Sequence, residues 1–192
     1  MLNPGFFWDK LIPALNEGLL FSLSLIIPAA VIGFLCGVLV GTARVYAPRP
    51  IARVVDIYVA VARGVPLLLQ LYFLYYALPK WGIQFSPYQA ALLGFVLCSA
   101  AYHSEYIRGA LLSIRQGQIK AAYSLGFSTL DMVRHVVVPQ AVRRAMPGCG
   151  NEIIYLIKYS SLAYVTTFIE LTAQAKELTS RSFHYIEIFF TA

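Results

Sequence analysis

The chain has 192 residues, 59% of them hydrophobic and only 12% charged, with a mean hydropathy of +0.67. Soluble domains carry roughly 25% charged residues, so an ordinary soluble protein is excluded. Several apolar runs near the ~20 residues that span a bilayer indicate an all-α polytopic membrane protein. The net charge of +6 does not point to nucleic acid, because the basic residues sit at the ends of apolar runs, where they set topology.

Five apolar segments are expected in chain order. The first runs from about Glu17 to Ala43, with Gly33, Gly37 and Gly41 at four-residue spacing. Such a small-residue stripe lets two helices approach closely in lipid. No signal peptide is expected, since Met1 to Lys10 is not basic and the first apolar run is too long for one. The second segment covers about Val54 to Leu78, and Pro66 should kink it. Arg63 there can snorkel to the interface. Tyr72, Phe73, Tyr75 and Tyr76 suit an interfacial belt and helix contacts better than a substrate cage. The third spans about Pro87 to Leu112 and the fourth about Met146 to Leu171; a fifth begins near Tyr185 and is too short to cross as it stands. Cys36, Cys98 and Cys149 have neither disulfide-framework nor metal spacing.

Positive charge decides orientation. Arg44, Arg49 and Arg53 follow the first segment, and Arg115, Lys120, Arg134, Arg143 and Arg144 follow the third. The other connections hold only Lys80, or Lys176 and Arg181. The excess places 44–53 and 113–145 in the cytoplasm and the amino terminus outside.

The second cytoplasmic connection is more elaborate than a loop requires. Gln118 to Leu125 should be helical and capped by Gly126. Ser128 and Asp131 form a capping-box pattern opening a second helix, Thr129 to Val137, which Pro139 should break. Helix, glycine turn and helix make a projecting knob. Ala121, Ala122 and Gly126 would keep its near face small enough for a partner's cleft.

That stretch resembles the signature loop of ATP-binding-cassette importer permeases: EAA, three residues, G, nine residues, I, one residue, LP. The matching positions are Lys120, Ala121, Ala122, Gly126, Val136, Val138 and Pro139, with Lys replacing Glu and Val replacing Ile and Leu. Further stretches resemble the same family in the same order. They are RGVPLLLQLYFLYYALP (Arg63 to Pro79), AYHSEYIRGALLSIRQGQ (Ala101 to Gln118), PQAVRRAMPGCGNEIIYLIKYSSLA (Pro139 to Ala163) and IELT (Ile169 to Thr172). The resemblance covers most of the chain and implies a type I importer permease of the polar amino-acid subfamily. It implies one permease domain over 1–192, five transmembrane helices with the fifth incomplete, and a cytoplasmic coupling loop at 115–139. Lys120, Ala121, Ala122, Ser124, Gly126, Phe127 and Pro139 would meet the ATPase. The implied partners are two ATPase subunits, a second permease subunit (identical or not), a periplasmic or lipid-anchored solute-binding protein, and membrane lipid. The expected location is the bacterial cytoplasmic membrane, the cargo a polar amino acid or a derivative such as an opine.

A substrate path is expected to involve Lys158, Ser160, Ser161, His103 and Glu105. Lys158 lies about 16 Å into the fourth segment at ~1.5 Å per residue. It either meets a substrate carboxylate or forms an internal ion pair, since a charge at that depth needs a cavity or partner. Glu105 and Arg108 are helical neighbours that suit a helix exit more than cargo. His103 either donates to cargo or rests against a hydroxyl, and Glu170 either contacts the binding protein or is solvated. No catalytic residues, metal site or bound cofactor are expected. The chain has no GxxxxGK[ST], so ATP and magnesium belong to a partner. A secondary transporter would show internal repeats. An intramembrane enzyme built on Ser104 or Ser113 with His103 lacks a GxSxG motif and the geometry.

Overall fold

The computed structural model describes residues 6–191, and among these there is helix and no strand. The order is α1 (Phe7–Tyr46), α2 (Arg49–Gly64), α3 (Leu67–Trp81), α4 (Pro87–Leu112), α5 (Gln116–Ser124), α6 (Thr129–Met132), α7 (Val138–Tyr159), α8 (Leu171–Ser182) and α9 (Tyr185–Thr191). A π-helical turn, Val133–Val137, joins α6 to α7, and a 3₁₀ stretch, Ser160–Thr166, follows α7.

Local chemistry sets most boundaries. Pro50 sits in the first turn of α2, where the missing donor costs nothing. Val65 is extended (φ −95°, ψ 128°) because Pro66 excludes the helical region for the residue before it. The expected single span Val54 to Leu78 is therefore two helices, not one kinked one. Ser86 opens α4 with a complete capping box: the Gln89 N–H donates to Ser86 Oγ (3.2 Å) and the Ser86 N–H to Gln89 Oε1 (3.0 Å).

The fourth expected segment is also interrupted. α7 ends at Tyr159, and Thr167 takes a left-handed conformation (φ 60°) before α8 begins at Leu171. Among the described residues, α1 alone is long and apolar enough to cross a membrane unaided (40 residues, hydropathy 2.6); α2 and α3 pass only jointly. Polar and charged side chains dilute the apolar surface of α4 and α7.

The backbone forms two compact units. Among the described residues, one gathers 6–29 with Leu67–Phe95 and 156–191. Leu11, Leu15, Ala175 and Ile188 form its core. The Tyr75 hydroxyl lies 2.9 Å from Thr167 Oγ1, and the Tyr76 hydroxyl donates to the Val165 carbonyl (3.0 Å). These aromatics thus hold the turn that follows α7.

The other unit comprises Ala30–Pro66 and Val96–Tyr155. The glycine stripe of α1 lies against α4 there. A β-carbon on Gly33 would sit 2.7 Å from Ser99 Oγ, and one on Gly41 2.9 Å from the Ser104 carbonyl. Its main core joins Ile107, Leu111 and Ile114 of the α4 end to Ala122, Met132, Val133, Val137 and Ala141.

Candidate functional site

The insert between α4 and α7 is built as a rigid joint. Gly126 adopts φ +81°, which only glycine takes freely. The Phe127 N–H reaches back to the Ala122 carbonyl (3.1 Å) and the Gly126 N–H to Tyr123 (3.0 Å), the paired pattern of a Schellman motif. Phe127 then packs beside Ala122 on the inner cluster. The next residue, Ser128, caps α6 by accepting from the Asp131 N–H (3.2 Å). The box is only half formed, because the Asp131 carboxylate accepts from the Ser128 hydroxyl instead of reaching the Ser128 amide.

Two expectations about this insert need correction. Pro139 does not break the helix: the preceding π turn widens the backbone just where the proline ring would crowd a normal turn, and α7 continues to Tyr159. Ala122 is 4% exposed and packs inward, so its small size serves the core and not a partner's cleft. What the insert exposes beside Lys120, Ala121, Ser124 and Gly126 is large and apolar: Leu125 at 78%, Leu130 at 75% and Tyr123. Leu125, Gly126, Phe127, Asp131 and His135 line a shallow recess there.

Glu105 is the centre of an ionic cluster near the end of α4. Its Oε1 accepts from Arg44 Nη1 (2.8 Å) and lies 3.0 Å from Arg63 Nη1, while Oε2 pairs with Arg108 Nη2 (3.1 Å). Arg44 also donates Nε to Asp56 Oδ1 (2.6 Å), and Arg63 lies over the Tyr102 ring. Both carboxylate oxygens are thus committed to arginines from α1, α2 and α4. Arg108 was legible as a neighbour; Arg44, Arg63 and Asp56 were not.

His103 is 1% exposed, with Nδ1 2.9 Å from the Ser99 carbonyl and 3.0 Å from Ser99 Oγ. Phe34 meets its ring edge-on. The Ser104 hydroxyl donates to Ala101 and that of Ser113 to Ala110, so neither addresses His103. Lys158, Ser160 and Ser161 belong to the other unit. Lys158 is exposed; the Ser160 hydroxyl donates to the Ile157 carbonyl (2.8 Å) and that of Ser161 to the Lys158 carbonyl (3.3 Å).

Glu170 is neither solvated nor at a surface. It is 1% exposed and caps α8, accepting from the Thr172 (2.7 Å) and Ala173 (2.9 Å) amides. The sequence reading also passed over Glu152, 4% exposed on α7. An acid inside an apolar run was the available signal.

The family model described as binding-protein-dependent transport system inner membrane component matches residues 31–191. The L-cystine transport permease TcyB of Bacillus subtilis is 33% identical, with 96% of this chain and 77% of that protein aligned. The glutamine transport permease GlnP of Escherichia coli K12 is 36% identical over 92% of this chain and 82% of its own. The octopine transport permease OccM of Rhizobium radiobacter is 33% identical over 99% and 81%. Among solved structures, an amino acid ABC transporter crystallised with histidines superimposes with a TM-score of 0.86 at 32% identity, covering 100% of this chain and 89% of that one. The inward-facing MetNI methionine transporter gives 0.78 at 20% identity, over 99% and 88%, a likeness of fold. The chain belongs to the family of binding-protein-dependent transport system inner-membrane components, and has the type I fold of an ABC importer permease subunit.

Proposed function

We propose that this chain forms part of the membrane passage for an amino acid or a close derivative such as an opine, driven by ATP that a separate subunit hydrolyses. The cargo class rests on relatives whose names specify cystine, glutamine and octopine. The observation that carries the mechanism is the insert. A Schellman joint at Gly126 and a capped α6 present Leu125 and Leu130 outward on a stiff support. A flexible loop could not transmit force; a packed two-helix knob can.

In this reading the insert lies on the cytoplasmic side, the amino terminus outside, and two ATPase subunits each seat one knob. A second permease subunit completes the passage, and a solute-binding protein delivers cargo from outside. ATP and magnesium are used by the ATPase; the permease binds no cofactor. ATP binding favours one access state because the ATPases and the loaded receptor have different affinities for the two. Lys120, Ala121, Ser124, Gly126 and Phe127 are the coupling residues, with Leu125 and Leu130 added from their exposure. Lys158 and His103, one in each unit, remain the proposed cargo contacts.

The test is reconstitution. The purified permease alone should not hydrolyse ATP, a co-expressed ATPase should copurify, and vesicles holding both should import a tested amino acid only with ATP and receptor. Import without an ATPase would overturn the reading.

A further inference from the structure

A side-chain hydrogen bond closes the insert at its base, beside the apolar cluster beneath it. Ser113 follows the last residue of α4, and its amide bonds back to the Gly109 (3.2 Å) and Ala110 (3.1 Å) carbonyls. Its own carbonyl lies beyond the last helical donor, one of the acceptors that every helix end leaves over. Arg144, 31 positions later in α7, supplies the donor: its Nη1 gives to the Ser113 carbonyl (2.8 Å) and approaches Ser113 Oγ (3.0 Å). Everything that forms the knob lies between these two residues.

We propose that Arg144 is a positioning residue for energy coupling: by closing the chain across the base of the insert, it makes the knob move as one body with α4 and α7. This inference rests on the coupling role proposed above. The physical need is specific. The knob's inner face is an apolar cluster of Ala122, Met132, Val133 and Val137 against Ile107, Leu111 and Ile114. Apolar burial resists separation but has no direction, so a force on Leu125 or Leu130 could slide the knob along α4. A charge-assisted hydrogen bond is directional and holds register. Arg144 ties the exit of α4 to the first two turns of α7, the two elements through which a push must leave the knob. Arg143 beside it is exposed and serves as a control of equal charge.

The experiment uses the complete complex of permease, ATPase and receptor in vesicles, and reads solute imported per ATP hydrolysed. In Arg144→Gln the ratio should fall severalfold, because a solvent-exposed hydrogen bond is lost while the apolar packing under the knob stays, with ATPase copurifying at the wild-type level. Arg143→Gln should stay within about twofold, and Arg144→Lys should recover part of the loss because one donor survives. A wild-type ratio in Arg144→Gln, an equal fall in Arg143→Gln, or loss of the ATPase from the purified complex overturns the proposal. Amide exchange on the purified complex is read alongside. Exchange across Ile114–Lys120 should rise about tenfold in Arg144→Gln when the base opens, and unchanged protection overturns the clasp. That measurement stands even where the coupling reading fails, because it needs no transport.

Discussion

Gly37 and His103 meet so closely that a β-carbon on Gly37 would lie 2.4 Å from the β-carbon of His103. No real side chain tolerates that separation, so α1 and α4 touch at this point only because residue 37 has none. The His103 ring is also held by Ser99 and Phe34, which leaves it little room to yield.

Gly37→Ala should therefore destabilise the purified permease by about 1–3 kcal/mol through overpacking, read as a lower unfolding temperature in detergent. Gly150→Ala is the matched control, since nothing lies within 4 Å of a β-carbon there. That substitution should be neutral, or stabilising by about 0.5–1 kcal/mol from helix propensity. Equal effects at both sites would contradict the close-packed interface.

The Glu105 cluster makes a different prediction. Glu105→Gln removes the charge that balances Arg44, Arg63 and Arg108 while keeping the shape. A cost of about 2 kcal/mol is expected from weakening hydrogen bonds to a charged group. Adding Arg44→Met should cost less than the sum of the two single changes, because the members share one network. Strict additivity in a double-mutant cycle would show that the arginines do not act through Glu105.

Capping at Glu170 is testable alone. Glu170→Ala leaves the Thr172 and Ala173 amides without acceptors in a buried place, at a cost of about 1–2 kcal/mol. Glu170→Asp should retain part of the cap. Amide exchange at the start of α8 should rise in the alanine variant and stay near wild type in the aspartate one.

What was legible in the sequence follows how local each interaction is. The Gly33, Gly37 and Gly41 stripe repeats along one helix face and could be read as a close-approach surface. Gly126 was legible because a glycine after a helix-forming run has few other uses. Pro139 misled, since a proline's effect depends on the hydrogen-bond register of the turn before it, and the π turn at Val133–Val137 leaves no compositional mark. The Glu105 cluster was largely hidden because Arg44 arrives from 61 residues away. Glu170 could be recognised as a cap only once the fourth apolar run was known to break at Thr167. Ala122 matched a motif, but its inward packing against Phe127 depends on the Schellman turn, which residue type alone does not reveal.

Gly126→Val tests the joint. A β-branched residue at φ +81° is strained, and nothing lies within 4 Å of the added carbon, so the strain acts on the backbone alone. A local cost of about 1–2 kcal/mol is expected. Import per ATP hydrolysed should fall, while the unfolding temperature of the helical body changes little. Unchanged import would show that the bend carries no force.

The most direct measurement places a photoreactive residue at Leu125, 78% exposed at the tip of the insert, and in a parallel variant at Leu39, 70% exposed on α1. Irradiation of the intact complex should join the ATPase chain to position 125, with a yield that changes when ATP is added, and leave position 39 without that product. An intact complex in which position 125 never captures the ATPase, with or without nucleotide, would contradict the account.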